Sequence, residues 1–97
     1  MNASQPFSIV PATPAQVPAI FAMVRELAQY EKLDHLVSGT ADDLEAELFG
    51  TQPVIKAVVA LVDATPAGFA LYFHNYSTFL ARKGLYLEDI YVRPAHR

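Results

Sequence analysis

Apolar positions in this chain follow a helical spacing in its first half and strand-like runs in its second. Val17, Ile20, Phe21, Val24, Leu27 and Ala28 fall three and four apart, which places them on one face of a helix. Thr13-Pro14-Ala15-Gln16 reads as its start: threonine caps, proline suits the first helical position, and Gln16 completes a capping-box pattern. Pro18 stands where a helix running from Pro14 needs a donor, so the first turn is irregular or the helix begins later. The pattern fades between Tyr30 and Leu33, and Asp34 to Gly39 reads as a loop. Thr40 caps a second, shorter helix with Asp43 as its reciprocal partner; Leu44, Leu48 and Phe49 form its apolar side, and Gly50 is a natural stop.

Short strand-like runs lie on either side of these helices. Phe7 to Val10 precedes them and is ended by Pro11. Val54 to Val62 is nearly all apolar and reads as a central, covered strand. Asp63 to Gly68 is a turn region, Phe69 to Tyr76 an aromatic strand, and Ser77 to Gly84 a polar connection. From Leu85 the pattern alternates, with Leu87, Asp89 and Tyr91 sharing one face and Tyr86, Glu88, Ile90 and Val92 the other. Arg93-Pro94 ends this strand, because proline donates no ladder hydrogen bond. Strand, two helices and a three-stranded antiparallel meander make an α+β arrangement.

Composition narrows the function classes. The 97 residues suit one small domain or part of one, and 53% hydrophobic content is ample for a core. The longest apolar run, Ala57 to Val62, is far too short to cross a membrane, and no signal peptide is expected. There is no cysteine, which removes thiolate catalysis, disulfides and cysteine-ligated metals and agrees with a cytoplasmic setting. A net charge of −3 without a basic cluster argues against nucleic acid. His35, His74 and His96 lack metal-ligand spacing, so no metal is expected.

Glu88 and Asp89 are the residues that composition leaves unexplained. Acids are depleted in strands and costly to bury unpaired. Glu88 is either an acid that handles protons or cations, or one that faces solvent and pairs with Arg82 or Lys83. For Asp89 an ion pair or a turn-anchoring contact is the plainer reading. The acidic residues of the second helix, Asp42, Asp43, Glu45 and Glu47, read as dipole complementarity and solubility.

Two motifs carry a resemblance. Tyr86-Leu87-Glu88-Asp89 in the last strand and Glu26-Leu27-Ala28-Gln29-Tyr30-Glu31 at the end of the first helix resemble the diamine branch of the GNAT N-acetyltransferases, with Tyr76-Ser77-Thr78 closer to the thialysine type. The resemblance spans essentially all of this sequence and the N-terminal half or so of the family's domain. It implies transfer of acetyl from acetyl-CoA to a primary amine of a small diamine-like substrate. A lysine-like amine has a pKa of about 10.4, so only about one molecule in two thousand is neutral and nucleophilic at pH 7. A carboxylate that accepts the proton removes that handicap.

By resemblance Glu88 takes that role and contacts the substrate, and Tyr30 with Glu31 holds the far amine. Ile90, Tyr91 and Val92 meet acetyl-CoA through main-chain atoms. Arg97 matches the first residue of the pyrophosphate loop, whose glycines lie outside this sequence, as does the family's thiolate-protonating tyrosine. Ser77 and Phe79 stand where some spermidine/spermine enzymes carry an acid and a tryptophan, which leaves smaller amines open. A homodimer is also implied. The competing expectations are an inactive half-domain or binding module, and transfer to a protein terminus or an antibiotic amine.

Overall fold

The structure, a computed structural model, describes residues 7 to 97. Strand β1 (Phe7–Pro11) leads into α1 (Val17–Tyr30) and α2 (Ala41–Phe49), followed by β2 (Lys56–Val62), β3 (Thr65–Ser77) and β4 (Arg82–Val92). The strands form one antiparallel sheet in the order β1-β2-β3-β4, which leaves β1 and β4 as edges.

Pro18 is accommodated by the later of the two expected starts. A 3-10 turn at Pro14–Gln16 takes the first residues, and Pro18 becomes the second residue of α1, where no intrahelical donor is needed. Within that turn the Thr13 N–H donates to Gln16 Oε1 at 2.9 Å. The second capping box also forms: the Thr40 N–H donates to Asp43 Oδ2 at 2.9 Å, and the Asp43 N–H donates to Thr40 Oγ1 at 3.2 Å.

Both helices lie on one face of the sheet. Register places Val59, Phe69 and Tyr91 side by side, with Ala57 beside Leu71, and these residues pack against Val17, Ile20, Met23 and Leu48. Met23 was not among the expected stripe residues, yet it is fully buried while Phe21 stays half-exposed beneath the Arg25 guanidinium. The opposite face carries Phe7, Ile9, Val58, Ala60, Ala70, Ile90 and Val92, with Ile9 61% and Ile90 65% exposed. These residues enclose a shallow apolar concavity of about 190 Å³.

Two local features depart from the expected pattern. The turn between β2 and β3 is only Asp63-Ala64, because Thr65 already pairs with Val62. Both turn residues are left-handed, with φ of 52° and 63°, as tight hairpin turns that match strand twist require. The second departure is in β4. Leu71 pairs with Asp89 but Tyr72 pairs with Leu87, so Glu88 is an extra residue, a β-bulge. Strict alternation therefore fails: Leu85 and Leu87 share the bare face with Ile90 and Val92, while Tyr86 joins Asp89 and Tyr91 on the helix side. The stacking of Tyr86 on Phe73, at 5.0 Å between ring centroids, belongs to that side as well. Beyond the helices the β3–β4 hairpin continues as an arm whose tip residue Phe79 is 97% exposed.

Candidate active site

The end of α1 is shaped by one left-handed residue. Lys32 has φ of 59°, its N–H donates to the Gln29 carbonyl at 3.0 Å, and the Leu33 N–H donates to the Ala28 carbonyl at 2.8 Å. This pair of bonds closes the helix in a Schellman arrangement. It turns the chain away directly after Glu31, leaving Tyr30 72% exposed at the helix end.

The bulge brings β4's acids toward that end. Glu88 is exposed and Asp89 is half-buried. Burial raises the Asp89 carboxyl above its ordinary range, with further upward contributions from the charges of Glu88 and then Glu31. The carboxylates of helix and strand therefore share one electrostatic neighbourhood. Asp89 has no cation paired with it among the described residues, so the ion-pair reading of this residue is replaced. Instead it lines a cleft of about 280 Å³ with Phe21, Val24 and Leu71, facing Asp43 and Glu47 of α2. Such a cleft offers apolar walls to a methylene chain and carboxylates to its ammonium ends. Glu88, Tyr30 and Glu31 lie at its surroundings rather than in its lining.

Past the bulge β4 has a different chemistry. The Arg93 N–H donates to the Ala67 carbonyl at 2.8 Å, so Arg93 pairs inward to β3. Antiparallel pairing alternates, so Tyr91 also directs its main chain inward, while Ile90 and Val92 direct theirs to the open edge. The Val92 carbonyl, on that edge, accepts from Arg97 Nε at 2.7 Å. Of the three expected main-chain contacts, Ile90 and Val92 are thus available and Tyr91 is committed to the sheet. Gly68 makes this packing possible, since a Cβ there would stand 2.7 Å from the Tyr91 carbonyl oxygen.

Arg97 lies over both Tyr30 and Tyr91, at 5.4 and 5.5 Å from their ring centroids. Tyr91 donates its hydroxyl to Glu26 Oε1 at 3.1 Å. Arg93 grips the same carboxylate, with Nη2 to Oε2 at 2.9 Å and Nε 3.2 Å from each oxygen, and gives Nη1 to the Pro66 carbonyl at 3.2 Å. Burial and the Glu26 bond push the Tyr91 phenol upward, against the opposing pull of Arg97 and Arg93. Sequence reasoning passed over this group. An acid beside an apolar helical stripe was the available signal at Glu26, but nothing in sequence pairs it with an arginine 67 positions away. No metal-binding cluster of His, Cys, Asp or Glu occurs among the described residues.

The fold matches that of solved acetyltransferases over about 60% of their length. A possible acetyltransferase from Clostridium difficile 630 superposes with a TM-score of 0.76 at 19% identity, over 94% of this chain and 60% of that one. An aminoglycoside N-acetyltransferase solved in complex with CoA matches with a TM-score of 0.67 at 15% identity, over 98% of this chain and 60% of its own. In sequence, the chain is related to the mouse thialysine N-epsilon-acetyltransferase, with 41% identity over 86 residues, 80% of this chain and 50% of the relative. The chain thus spans about half the length of the curated relatives it matches. No protein-family model matches it. No helix among the described residues is long and apolar enough to cross a membrane.

Proposed function

We propose that these residues form the amine-acceptor side of an acetyl-CoA-dependent N-acetyltransferase acting on a small diamine-like primary amine. The observation that carries this reading is the division of charge along β4. Glu88 and Asp89 precede Ile90, while Arg93 and Arg97 follow Val92. With about 3.3 Å of rise per residue, Glu88 and Arg93 stand about 16 Å apart along the strand. An ammonium is drawn to the first end; at the second, Arg97 is the cation left for a pyrophosphate, since Arg93 is committed to Glu26.

Glu88, exposed at the bulge, accepts the proton as the amine nitrogen attacks the thioester carbonyl. The C–N bond forms, the C–S bond breaks, and CoA leaves as the thiolate, which then takes up a proton. Asp89 keeps the methylene chain's cleft negative, and Tyr30 with Glu31 holds the far amine. The outward N–H groups of Ile90 and Val92 are placed to meet the acetyl and pantetheine amides or the developing oxyanion, with Tyr91 fixing their register. Arg97 stands at the phosphate end. Direct transfer, with no covalent enzyme intermediate, is the proposed route. Relatives named for thialysine support a diamine-like acceptor, and the neighbour solved with CoA supports the donor. Self-association as a homodimer, which the resemblance implies, is part of this proposal.

The test is transfer from acetyl-CoA to a set of short diamines by the polypeptide as its gene produces it. Glu88→Gln should lose roughly a hundredfold in rate at pH 7 and less at pH 9, where more amine is already neutral. An unchanged rate in that variant removes Glu88 from the mechanism.

A further inference from the structure

Past Met23, helix α1 buries no side chain completely. Its last two turns nevertheless carry Tyr30 and, just beyond, Glu31. Hydrophobic packing there is limited to the half-buried Val24 and Leu27. The polar tie is far more specific. Glu26, one turn before Tyr30, receives three hydrogen bonds from the Arg93 side chain and one from Tyr91. Arg93 is itself held to β3 through the Pro66 carbonyl and through its own N–H to Ala67. A forked guanidinium on a carboxylate fixes direction as well as distance. A single exposed pair contributes little stability, and this one, with side chains about one-third exposed, is no exception. Its value lies in where it places the helix end.

We propose that Glu26 is a positioning residue: clamped by Arg93 and Tyr91, it sets the gap between Glu31 at the end of α1 and the Glu88–Asp89 bulge of β4. The functional meaning of that gap rests on the acceptor reading above. A diamine bridging two anionic anchors fits best when its methylene chain matches their spacing, so the clamp selects the length of the acceptor.

Asp89 is a ruler for the gap. Glu31 contributes to its titration, whereas Glu26 is not among the causes of its shift. The other acids facing Asp89 are Glu88 on its own strand and Asp43 and Glu47 across the cleft, and none of them is altered. The experiment follows the Asp89 carboxyl by carbon-detected NMR in the 97-residue chain. Glu31→Gln should move its titration midpoint down. Glu26→Gln and Arg93→Gln, which open the clamp from opposite sides, should each move it down by a comparable amount. The exchange Glu26→Arg with Arg93→Glu should return it toward the wild-type position. A midpoint that stays at its wild-type value in both single variants, even with a lowered melting temperature, overturns the proposal and leaves the clamp as a stabilising contact alone.

Calorimetric titration with 1,2-diaminoethane to 1,5-diaminopentane then reads the consequence. The intact chain should discriminate the best length from the worst by roughly tenfold, and the single variants by less than about threefold. Discrimination that persists in the variants overturns length selection by the clamp. Failure of the intact chain to bind any diamine overturns the acceptor reading instead, while the Asp89 midpoints still decide whether the clamp sets the gap.

Discussion

On the helix side of the sheet, Val59, Phe69 and Tyr91 lie against Val17, Ile20 and Met23. One residue further along the same strands, Val58, Ala60, Ile90 and Val92 lie under no other element of the described chain. The side chains on the two faces are equally apolar. What separates them is partnership: only one face has helices whose apolar stripes fit it. Hydrophobicity therefore identifies candidates for a core without locating it. The candidate site belongs to the packed side, at the rim where Asp89 leaves the core and meets the end of α1.

The widest separation between the faces should appear in truncations of isoleucine. Ile20→Ala, at a fully buried position, should cost about 3–4 kcal/mol in denaturant unfolding. Ile90→Ala on the bare face should cost within about 0.5 kcal/mol. A cost above about 2 kcal/mol at Ile90 would show that something covers that face in solution.

Gly68 probes how closely the strands themselves approach. Gly68→Ala places a methyl against the Tyr91 carbonyl, a backbone group that cannot swing aside, and should cost about 1–3 kcal/mol by thermal melt. An unaffected melting temperature would mean that β3 and β4 separate freely at this point.

Asp89 sharpens the comparison at the packed rim through pH. Its folded-state pKa is raised, so the folded chain holds the proton more tightly than the unfolded chain does. The native state then binds more protons between the ordinary aspartate range and the raised value, and stability falls as pH rises through that window. Above it the penalty is complete, and below the ordinary range it is absent. Asp89→Asn should therefore raise stability at pH 7, leave it unchanged well below pH 4, and weaken diamine binding. A variant no more stable than wild type at pH 7 would mean that the carboxylate is well solvated.

The smallest effect should come from a turn that belongs to neither face. Ala64→Gly removes the cost of a left-handed alanine and should stabilise by about 0.5–1 kcal/mol, readable as a higher melting temperature. The same gain measured at both Ala64 and Lys32 would show that the cost is local backbone strain rather than packing.

Much of this was legible in sequence where the signal is local. Both capping boxes, the awkward Pro18, the meander of the last three strands and the Glu88–Asp89 pair depend on residues close together in the chain, whereas the pairing of β1 with β2 does not. The misses depend on what lies across a sheet or a helix interface. Asp63-Ala64 contains no glycine, so its two-residue turn was hidden within a longer turn region. Met23 is buried because it lies one turn beyond Ile20, and two beyond Val17, on the face that α1 presents to the core. The faces of Leu85, Tyr86 and Leu87 follow from a bulge visible only in the pairing with β3, and the Asp89 cleft from how α1 and α2 lie across the sheet. The Glu26–Arg93 contact joins distant segments, and no spacing rule reaches it.

Because of Glu88, β4 is written in two reading frames. A strand is a code of period two, and one inserted letter changes which symbols downstream face the core. Removing Glu88 alone would merge the two frames and leave Leu85 and Leu87 on the bare face and Tyr86 on the helix side, because Leu71 already pairs with Asp89 and Tyr72 with Leu87. Adding residues to the arm in matched pairs on β3 and β4 would lengthen it without disturbing either frame. The length of the hairpin is thus free to change, and the extra letter sets the local bend beside Asp89 rather than the face that Asp89 occupies.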